Sequence, residues 1–436
     1  MKHFGRDVEI KILGEERLLS ESSARFTLVM GRRRIGKTYI IRRSLEGVPS
    51  LYLLAMNESE ETLCHRFQQQ IEDELGITVY GRMSSMHQLF DVLFHYATQQ
   101  HLNLVIDEVQ EFFYVRNSIF SDMQAAWDKY KDTMHINMIV CGSIYSLMRH
   151  LFDDRKQAMY GRLTRRIDMH PFPIATLKQI LHHYAPDYSP DDLLCLYALT
   201  GGVPKYVETL IDRHAYTRDT MLQCLCDTSA PFVTEGQDLM NMEFRRESAT
   251  YYSILSLIAE GHTSIGEIES VLQTSTSAYL RNLEVNYSLL ERVRPMFASV
   301  RSQGVRYRIA DNFMLFWFRF VYPYQRLVAM QRSDRLLEVV QQGYNQFIGI
   351  MLERYFRQKY MEEGDWTDVG GWWDARGGNE IDLVAVDDVS KHICIAEVKM
   401  QKKRISLPLL EEKASRLVPH FKRYSVEYRA LSLEDM

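Results

Sequence analysis

Two kinds of apolar pattern alternate along the first third of the chain. Short, largely apolar runs at residues 26–30, 104–106 and 136–140 have the length and continuity of strands buried on both faces of a parallel sheet. After the first run, apolar residues return at helical spacing from Tyr39 to Leu45. Strands that alternate with amphipathic helices indicate an α/β fold built around a parallel sheet.

The apolar pattern changes beyond the predicted sheet. From about residue 174 to 230 it is helical throughout, and Gly201, Gly202 and Pro204 separate two of the helices, which predicts a small helical lid. Residues 246–312 predict three helices followed by a β-hairpin, the element order of a winged helix. We therefore expect domains at residues 1–173, 174–245, 246–325 and 326–436.

Composition narrows the class of protein. The 436 residues are 46% hydrophobic and 25% charged, as in ordinary globular proteins, and the net charge of −5 provides no global basic field for nucleic acid. No apolar run approaches the roughly 20 residues of a membrane helix, and the N-terminus lacks a signal-peptide core. The six cysteines are scattered without zinc-site spacing. We expect a cytoplasmic protein without disulfides and without a membrane partner.

A phosphate-binding loop follows the first predicted strand. Residues 31–38, GRRRIGKT, fit the pattern G-x-x-x-x-G-K-[ST] at every fixed position, and the helix after them would aim backbone N–H groups at a phosphate. Lys37 is expected to reach the β- and γ-phosphates, and the Thr38 hydroxyl to bind Mg²⁺. The residues predicted to surround the nucleotide are Gly31, Arg32, Arg33, Arg34, Ile35, Gly36, Lys37 and Thr38. A chance match on an ordinary strand-turn-helix is the alternative.

A pair of acidic residues follows the strand at 104–106. Asp107 and Glu108 would lie at the carboxyl edge of the sheet, where the Mg²⁺ of a phosphate-loop enzyme needs a carboxylate. Asp107 is expected to hold the metal, directly or through water, and Glu108 to orient and deprotonate the attacking water. A solvated acidic turn would explain the pair alone, but together with the phosphate loop it predicts ATP hydrolysis and disfavours a kinase.

Two more polar positions follow later in this region. Ser143 comes after the strand at 136–140 and could contact the γ-phosphate or the attacking water, although a helix N-cap is an equally good interpretation. Arg162, with Arg165 and Arg166 behind it, is placed to stabilise transition-state charge, in cis or from a neighbouring subunit. Solvated surface arginines are the alternative.

These motifs together resemble the archaeal-type ATPase family, within the AAA+/STAND group of phosphate-loop ATPases. The segments that carry the resemblance are 4–10 (FGRDVEI, without the family's spacer), 31–38, 107–110, 141–143 and 201–206. The resemblance implies ATP and Mg²⁺ as cofactors, and it places Gly202 and Pro204 close to the nucleotide. A plain helix-breaking turn is the alternative for that last segment.

Charged residues in the C-terminal region form a second candidate site. Asp382 lies near the start of one predicted strand, which begins at Glu380. Glu397 and Lys399 lie two positions apart on the next strand, so their side chains share a face. Two carboxylates favour a divalent cation such as Mg²⁺ or Mn²⁺, which with Lys399 could activate water for phosphodiester cleavage. A solvated hairpin with a Glu–Lys pair is the alternative.

This second pattern resembles the PD-(D/E)xK nuclease superfamily, in the DUF234-type form fused to archaeal-type ATPases. The resemblance implies a restriction-endonuclease-like α/β domain, with Asp382 and Glu397 on the metal and Glu353 as the acidic residue of its first helix. Ile381 stands where the superfamily usually has proline. The basic segment at 402–404 suits a phosphodiester substrate, and a solvated charge run is the ordinary alternative.

The expected function is therefore an ATP-hydrolysing protein whose C-terminal domain acts on DNA. Arg301 and Arg306 of the predicted wing could contact the DNA backbone, although a structural or protein-binding winged helix is an equal alternative. The competing hypothesis is a nucleotide-controlled switch that binds a protein partner and carries an inactive nuclease-like domain. A homo-oligomer is compatible with both.

Overall fold

The computed structural model describes residues 1–244, 248–298, 304–374 and 378–436. These residues form two compact units, the first from Lys2 to Pro171 and the second from Phe172 to Met436 together with Met1. The predicted boundaries of lid, winged helix and C-terminal domain inside the second unit stay predictions.

The first unit is a parallel sheet covered by helices. Its strands are β1 (Arg25–Met30), β2 (Leu51–Leu54), β3 (Leu102–Asp107), β4 (Ile136–Gly142) and β5 (Arg165–Asp168). Its helices are α1 (Asp7–Leu19), α2 (Lys37–Ser44), α3 (Glu60–Leu75), α4 (Met86–Ala97), α5 (Glu111–Val115), α6 (Ile119–Tyr130) and α7 (Tyr145–Asp153). Neighbouring strands are all parallel, in the order β2-β3-β4-β1-β5, which confirms the predicted α/β fold.

Burial on both faces explains the uninterrupted apolar runs of this sheet. Leu28 and Val29 are consecutive in β1 and therefore point to opposite faces, yet both are fully buried. Leu28 packs in the same core cluster as Phe90 of α4, and Val29 in a second cluster with Ile40 of α2. Because all strands are parallel, the carboxyl ends of β1, β3 and β4 meet at one edge, and the candidate site lies there.

The second unit begins with helices. Its helices up to the hairpin are α8 (Ile174–Tyr184), α9 (Pro190–Thr200), α10 (Pro204–Asp212), α11 (Arg218–Cys226), α12 (Pro231–Glu243), α13 (Ser248–Glu260), α14 (Ile265–Leu272) and α15 (Ser277–Arg281), which continues as a π-helix (Asn282–Asn286). The hairpin consists of β6 (Leu290–Val293) and β7 (Arg306–Ile309). After it come α16 (Asn312–Phe316), a π-helix (Trp317–Val321), α17 (Gln325–Ala329), α18 (Ser333–Glu363) and α19 (Leu407–Ala414).

A mixed four-stranded sheet completes the second unit. It contains β8 (Asp368–Trp373), β9 (Glu380–Asp387), β10 (His392–Val398) and β11 (Ser425–Leu431), in the order β11-β10-β9-β8. Only the β10–β11 pair is parallel within this sheet. Helix α18 packs on one face, where the Cys394 thiol donates to the Tyr360 hydroxyl at 3.9 Å. Helix α19 packs on the other, where Leu410 joins Ile393 and Ile395 in a core cluster.

The aromatic segment that follows the hairpin is buried. Trp317 is fully buried, and its indole N–H donates to the Val233 carbonyl at 2.9 Å, so the ring is held against α12. Phe313 stacks obliquely on Tyr206 of α10 with ring centroids 4.5 Å apart. These rings therefore form part of a core, as large aromatic side chains with satisfied polar atoms usually do.

The hairpin is attached to the C-terminal sheet. Arg306 donates to both carboxylate oxygens of Glu380, at 2.7 and 3.3 Å, and its guanidinium lies 4.4 Å from the ring centroid of Trp373. The Trp373 indole N–H in turn donates to the Gly304 carbonyl at 3.1 Å. Arg301, the other predicted wing contact, lies outside the described residues, and DNA contact by the hairpin stays a prediction.

None of the helices in the described part of the chain combines the length and the hydropathy that crossing a bilayer requires.

Two glycines of α18 provide a matched test of this packing. A Cβ at Gly343 would lie 2.5 Å from Cε1 of the buried Phe320 ring, whereas a Cβ at Gly349 would meet nothing within 4 Å. We expect Gly343→Ala to lower the free energy of unfolding by about 1–3 kcal/mol through overpacking. Gly349→Ala should raise it by about 0.5–1 kcal/mol through reduced chain entropy.

Urea unfolding followed by circular dichroism measures both variants. Equal destabilisation by the two alanines would contradict the packing described for α18.

Candidate functional site

The phosphate loop lies at the carboxyl end of β1 and leads directly into α2. Gly36 is the N-cap of α2 and has φ +94°, a left-handed conformation that glycine adopts without strain. Gly31 lies close to the backbone that follows β5, since a Cβ there would be 2.8 Å from the Met169 carbonyl oxygen. Both glycines of the motif are therefore required by the backbone, and the loop places the first N–H groups of α2 at the sheet edge.

Lys37 is buried and lies across its own loop. Its ammonium donates to the carbonyl oxygens of Gly31 at 2.8 Å and Arg32 at 3.1 Å. Burial lowers the pKa of Lys37, while the nearby Glu108 carboxylate acts in the opposite direction. A buried ammonium bonded to neutral carbonyls has its charge only partly compensated, and a phosphate oxygen would supply the missing negative charge.

The Asp107 carboxylate at the end of β3 is held by hydrogen bonds to both oxygens. Its Oδ2 accepts from the Thr38 hydroxyl at 3.2 Å and from the Tyr52 hydroxyl. Its Oδ1 accepts from the Cys141 thiol at 2.8 Å and from the Glu108 backbone N–H at 2.9 Å. Four donors from four parts of the chain thus fix one carboxylate directly beside the hydroxyl of the phosphate loop.

Tyr52 and Cys141 are site residues that sequence reasoning missed. The pKa of the Tyr52 hydroxyl and that of the Cys141 thiol are both raised. Burial is the larger cause, and the interaction with the Asp107 carboxylate is the next. Both groups therefore stay protonated and act as donors near neutral pH. The one local signal for Tyr52 was a tyrosine in a short apolar strand, and Cys141 was grouped with the inert scattered thiols.

Glu108 has a strained backbone and a well-held side chain. Its φ is +51°, which costs a non-glycine residue about 1–2 kcal/mol. Its carboxylate accepts from Gln110 Nε2 at 2.5 Å and from the Ser143 hydroxyl at 2.8 Å. Strain retained at the end of a strand beside Asp107 is typical of a functional position.

Ser143 therefore binds Glu108 and does not cap a helix. The N-cap residue of α7 is Ile144, whose side chain makes no capping hydrogen bond to the helix. The N-cap interpretation of Ser143 is therefore wrong. The preceding Gly142 leaves the space that Gln110 and Met148 occupy, since a Cβ there would collide with both. Contact of Ser143 with a γ-phosphate stays a prediction.

The N-terminal segment is bonded to the same loop. Arg6 donates to the Ile35 carbonyl at 3.2 Å and to the His170 carbonyl at 2.7 Å, and it pairs with Glu9 at 3.0 Å. The arginine thus connects the start of α1, the phosphate loop and the segment after β5.

Three further residues are predicted to act at the nucleotide, namely Arg162, Gly202 and Pro204. Arg162 donates to both carboxylate oxygens of Asp128, at 3.1 and 2.6 Å, and to the Ala158 carbonyl at 2.6 Å. Its catalytic role stays a prediction, and in cis it would require release from Asp128. Gly202 has φ +75° and Pro204 begins α10; both belong to the second unit, and their approach to a nucleotide stays a prediction.

The second candidate site lies at the carboxyl end of β10. Lys399 donates to Asp382 Oδ2 at 3.1 Å and lies 3.0 Å from Glu397 Oε1, so it bridges the two carboxylates. Asp382 also accepts from the Val398 N–H at 2.8 Å, and Lys413 of α19 lies 3.1 Å from Glu397 Oε2. The structure brings the three predicted residues together and adds Lys413, which sequence reasoning missed.

Glu353 of α18 belongs to the same cluster. Burial, and after it the nearby Asp382 carboxylate, raise the pKa of Glu353 to about 7. Burial also raises the pKa of Asp382, although the hydrogen bond from the Val398 N–H and the charge of Lys399 act to lower it. Arg357, also missed, donates to the Asp382 backbone carbonyl at 2.8 Å and to Glu353 at 3.3 Å.

The two sites differ in how well they fit a divalent cation. Thr38 and Asp107 offer a hydroxyl and a carboxylate beside a phosphate loop, the set that Mg²⁺ uses together with nucleotide phosphates. At the second site Lys399 occupies the space between Asp382 and Glu397. Within the ranges that the structure describes, no three His, Cys, Asp or Glu side chains converge as a metal centre. The second site as arranged therefore does not fit a metal.

Comparison with known families matches two separate parts of the chain. Residues 3–210 match a family described as an ATPase domain predominantly from Archaea. Residues 317–416 match DUF234, described as "Archaea bacterial proteins of unknown function". An uncharacterized protein of Methanocaldococcus jannaschii is 28% identical over 411 residues, which cover 90% of this chain and 86% of that protein.

A solved structure shares the fold. The Walker-type ATPase PABY2304 of Pyrococcus abyssi is 21% identical and has a TM-score of 0.53, with 73% of this chain and 96% of that chain covered.

The contact between Tyr52 and Asp107 can be tested by removing one oxygen. Tyr52→Phe should raise the Mg²⁺ concentration that half-saturates ATP hydrolysis by about tenfold, because a hydrogen bond to a carboxylate is lost. The rate at saturating Mg²⁺ should change little. Phosphate release measured over a Mg²⁺ titration gives both quantities.

Tyr130→Phe is the matched control, because the Tyr130 hydroxyl also donates to a carboxylate, that of Asp91, at 3.0 Å. An equal shift in both variants, or none in Tyr52→Phe, would contradict a role of Tyr52 in holding Asp107.

Proposed function

Because this chain joins an ATPase domain of a predominantly archaeal family to a C-terminal DUF234 domain, we propose that it binds ATP with Mg²⁺, hydrolyses it and acts on DNA through the C-terminal domain. The observation that supports the first part most strongly is the convergence of Thr38, Asp107 and Glu108 at one sheet edge. Each of these residues has the chemistry that phosphoryl transfer to water needs.

The proposed roles follow from the contacts of each side chain. Lys37 exchanges the loop carbonyls for phosphate oxygens and neutralises part of their charge. Thr38 and Asp107 hold Mg²⁺, which when bound neutralises charge on the phosphates. Glu108 accepts a proton from the attacking water, and the hydrogen bonds from Ser143 and Gln110 fix the direction of its carboxylate.

The DNA half of the proposal rests on the cluster around Lys399. Asp382, Glu397 and Lys399 share one end of the C-terminal sheet, and the basic segment Lys402–Arg404 follows directly. Cations beside paired carboxylates suit a phosphodiester group, since they can bind its oxygens and stabilise charge that develops on them. Metal-dependent cleavage at this cluster would first require Lys399 to leave its bridging position.

A second function is favoured by the charge balance of the same cluster. The carboxylates of Glu353, Asp382 and Glu397 are matched by three cations of the same domain, Arg357, Lys399 and Lys413. A cluster in which carboxylates and cations are equal in number and paired with one another is suited to holding a domain together. In this alternative, ATP occupancy controls binding of a protein partner, and the DUF234 domain serves as a scaffold.

Two substitutions in the first unit test the ATPase proposal. Lys37→Ala should abolish measurable nucleotide binding, because it removes the charge that meets the phosphates. Glu108→Gln should retain binding and lower the hydrolysis rate by about 10²–10⁴-fold, because it removes the proton acceptor. Calorimetry with ATP and phosphate-release assays measure the two effects.

Lys11→Ala is the control for Lys37→Ala, because Lys11 is a lysine of α1 whose side chain is 78% exposed. A Glu108→Gln protein that hydrolyses ATP at the wild-type rate would refute the role given to Glu108.

The DNA proposal is tested with plasmid and single-stranded DNA, with Mg²⁺ or Mn²⁺ and with or without ATP. We expect wild-type protein to cut, and Asp382→Ala and Lys399→Ala to lose cutting while ATP hydrolysis continues. Glu411→Ala, on the exposed side of α19, is the control and should cut normally. Absence of cutting by wild type under every condition, with ATP hydrolysis intact, would favour the scaffold function instead.

A further inference from the structure

Strand β11 forms one edge of the C-terminal sheet, and it is regular along its whole length. It pairs with β10 from Ser425 to Leu431 without any shift of register. The Ser425 N–H donates to the Lys391 carbonyl at 2.9 Å, and the Leu431 carbonyl accepts from the Lys399 N–H at 3.0 Å. Since alternate residues of a strand bond to the same neighbour, the residues between them present their backbone groups to the outside. These outward residues are Val426, Tyr428 and Ala430.

The edge of β11 is open, whereas two other sheet edges are covered. At the edge of β2, Arg66 donates to the Leu54 carbonyl at 3.2 Å, and at the edge of β8 the Met296 N–H donates to the Gly371 carbonyl at 2.9 Å. Within the described ranges, no group bonds to the outward N–H and C=O groups of β11. A cavity of about 680 Å³ lies beside the second half of the strand instead. The edge is therefore accessible to a strand of another molecule.

The side chains of β11 are complementary to those of a second, antiparallel copy of the same strand. When a two-fold axis passes through Tyr428, Glu427 of each strand lies opposite Arg429 of the other. On the other face of the sheet the two Tyr428 side chains are neighbours, and Val426 lies opposite Ala430. Opposite charges and aromatic pairs directly across a sheet both stabilise the pairing.

The backbone favours the same register. The outward residues then form the hydrogen-bonded pairs of an antiparallel ladder, so every outward N–H of one copy meets a carbonyl of the other. Glu427 and Arg429 fall in the non-hydrogen-bonded pairs, where facing side chains are closest. An axis at either of these two residues would place like charges opposite each other, and a shift by two residues would lose both opposite-charge pairs. The self-complementary register is therefore the one centred on Tyr428.

The two charged side chains remain accessible although each has partners in its own chain. Glu427 accepts from Arg429 Nε at 2.7 Å and lies 3.3 Å from His392 Nε2, and Arg429 Nη1 donates to the Tyr360 hydroxyl at 3.1 Å. The Arg429 side chain is still 46% exposed and that of Glu427 38% exposed. Each carboxylate can therefore take a second guanidinium beside its own, and alternating charges in a network stabilise more than an isolated surface pair.

We propose that β11 pairs with β11 of a second copy of this chain, antiparallel about Tyr428, and that this contact joins two C-terminal sheets into one continuous sheet. Addition of a strand at an open edge gives affinity through backbone hydrogen bonds and specificity through side chains. Because the contact is small, monomer and dimer exchange in an equilibrium that depends on protein concentration.

Sedimentation velocity of the full-length protein between about 1 and 100 µM measures the dimer fraction. Wild type should shift from monomer toward dimer across this range. Glu427→Arg and Arg429→Glu should each weaken self-association by about tenfold or more, because each places like charges opposite each other. An equimolar mixture of the two variants should recover the wild-type dimer fraction, because their charges are then complementary across the axis.

Arg335→Glu and Glu338→Arg are the matched controls. These residues form an exposed ion pair at 2.7 Å near the start of α18, whereas the end of that helix lines the cavity beside β11. Neither reversal should change the dimer fraction, and a loss equal to that of the β11 variants would assign the effect to overall charge and overturn the proposal.

Three further results would overturn the proposal. They are a monomeric wild type at every concentration, a dimer fraction that neither reversal in β11 changes, and a loss in both variants that their mixture does not recover. If circular dichroism shows that a reversal unfolds the protein, Val426→Pro decides instead. It removes an outward N–H without breaking a bond to β10, so the dimer fraction should fall, and an unchanged fraction would overturn the proposal.

Discussion

The candidate ATPase site depends on one buried carboxylate with four hydrogen-bond donors. Asp107 is reached by the Thr38 hydroxyl from the phosphate loop, by Tyr52 from β2 and by Cys141 from β4, while the Glu108 N–H completes the set. A carboxylate satisfied in this way has one orientation and little freedom to rotate. The order of the strands makes this possible, since β3 lies between β2 and β4.

The same contacts connect Asp107, which is proposed to hold Mg²⁺, to Glu108, which is proposed to activate water. The Glu108 backbone has a left-handed conformation and donates its N–H to Asp107, and its carboxylate accepts from Ser143 and Gln110. The strain at this residue is small beside the packing of the surrounding sheet, whose strands are buried on both faces. Rigid strands thus carry the acidic pair, and the glycine-containing loop carries the groups that meet phosphate.

The charges of the lysines are paired differently at the C-terminal cluster and at the candidate ATPase site. At the first site one lysine lies on neutral carbonyls, so its charge is available to a phosphate. At the second site Lys399 and Lys413 already neutralise Asp382 and Glu397. The first arrangement favours an incoming anion, whereas the second must be opened before a metal can enter. A metal-dependent nuclease at the second site therefore requires Lys399 to leave Asp382 and Glu397.

The sequence by itself determined the α/β class, the phosphate loop and the positions of Asp107 and Glu108, because each depends on neighbours within a few residues. It also indicated that Asp382, Glu397 and Lys399 belong together, since strand periodicity and a short hairpin bring them close. Only the tertiary structure added the other partners of these residues, because they come from segments distant in the chain. These are Tyr52 and Cys141 on Asp107, Asp128 on Arg162, and Arg357 and Lys413 at the C-terminal cluster. Strand order and helix packing decide such contacts, and no local pattern of hydrophobic and polar residues encodes them.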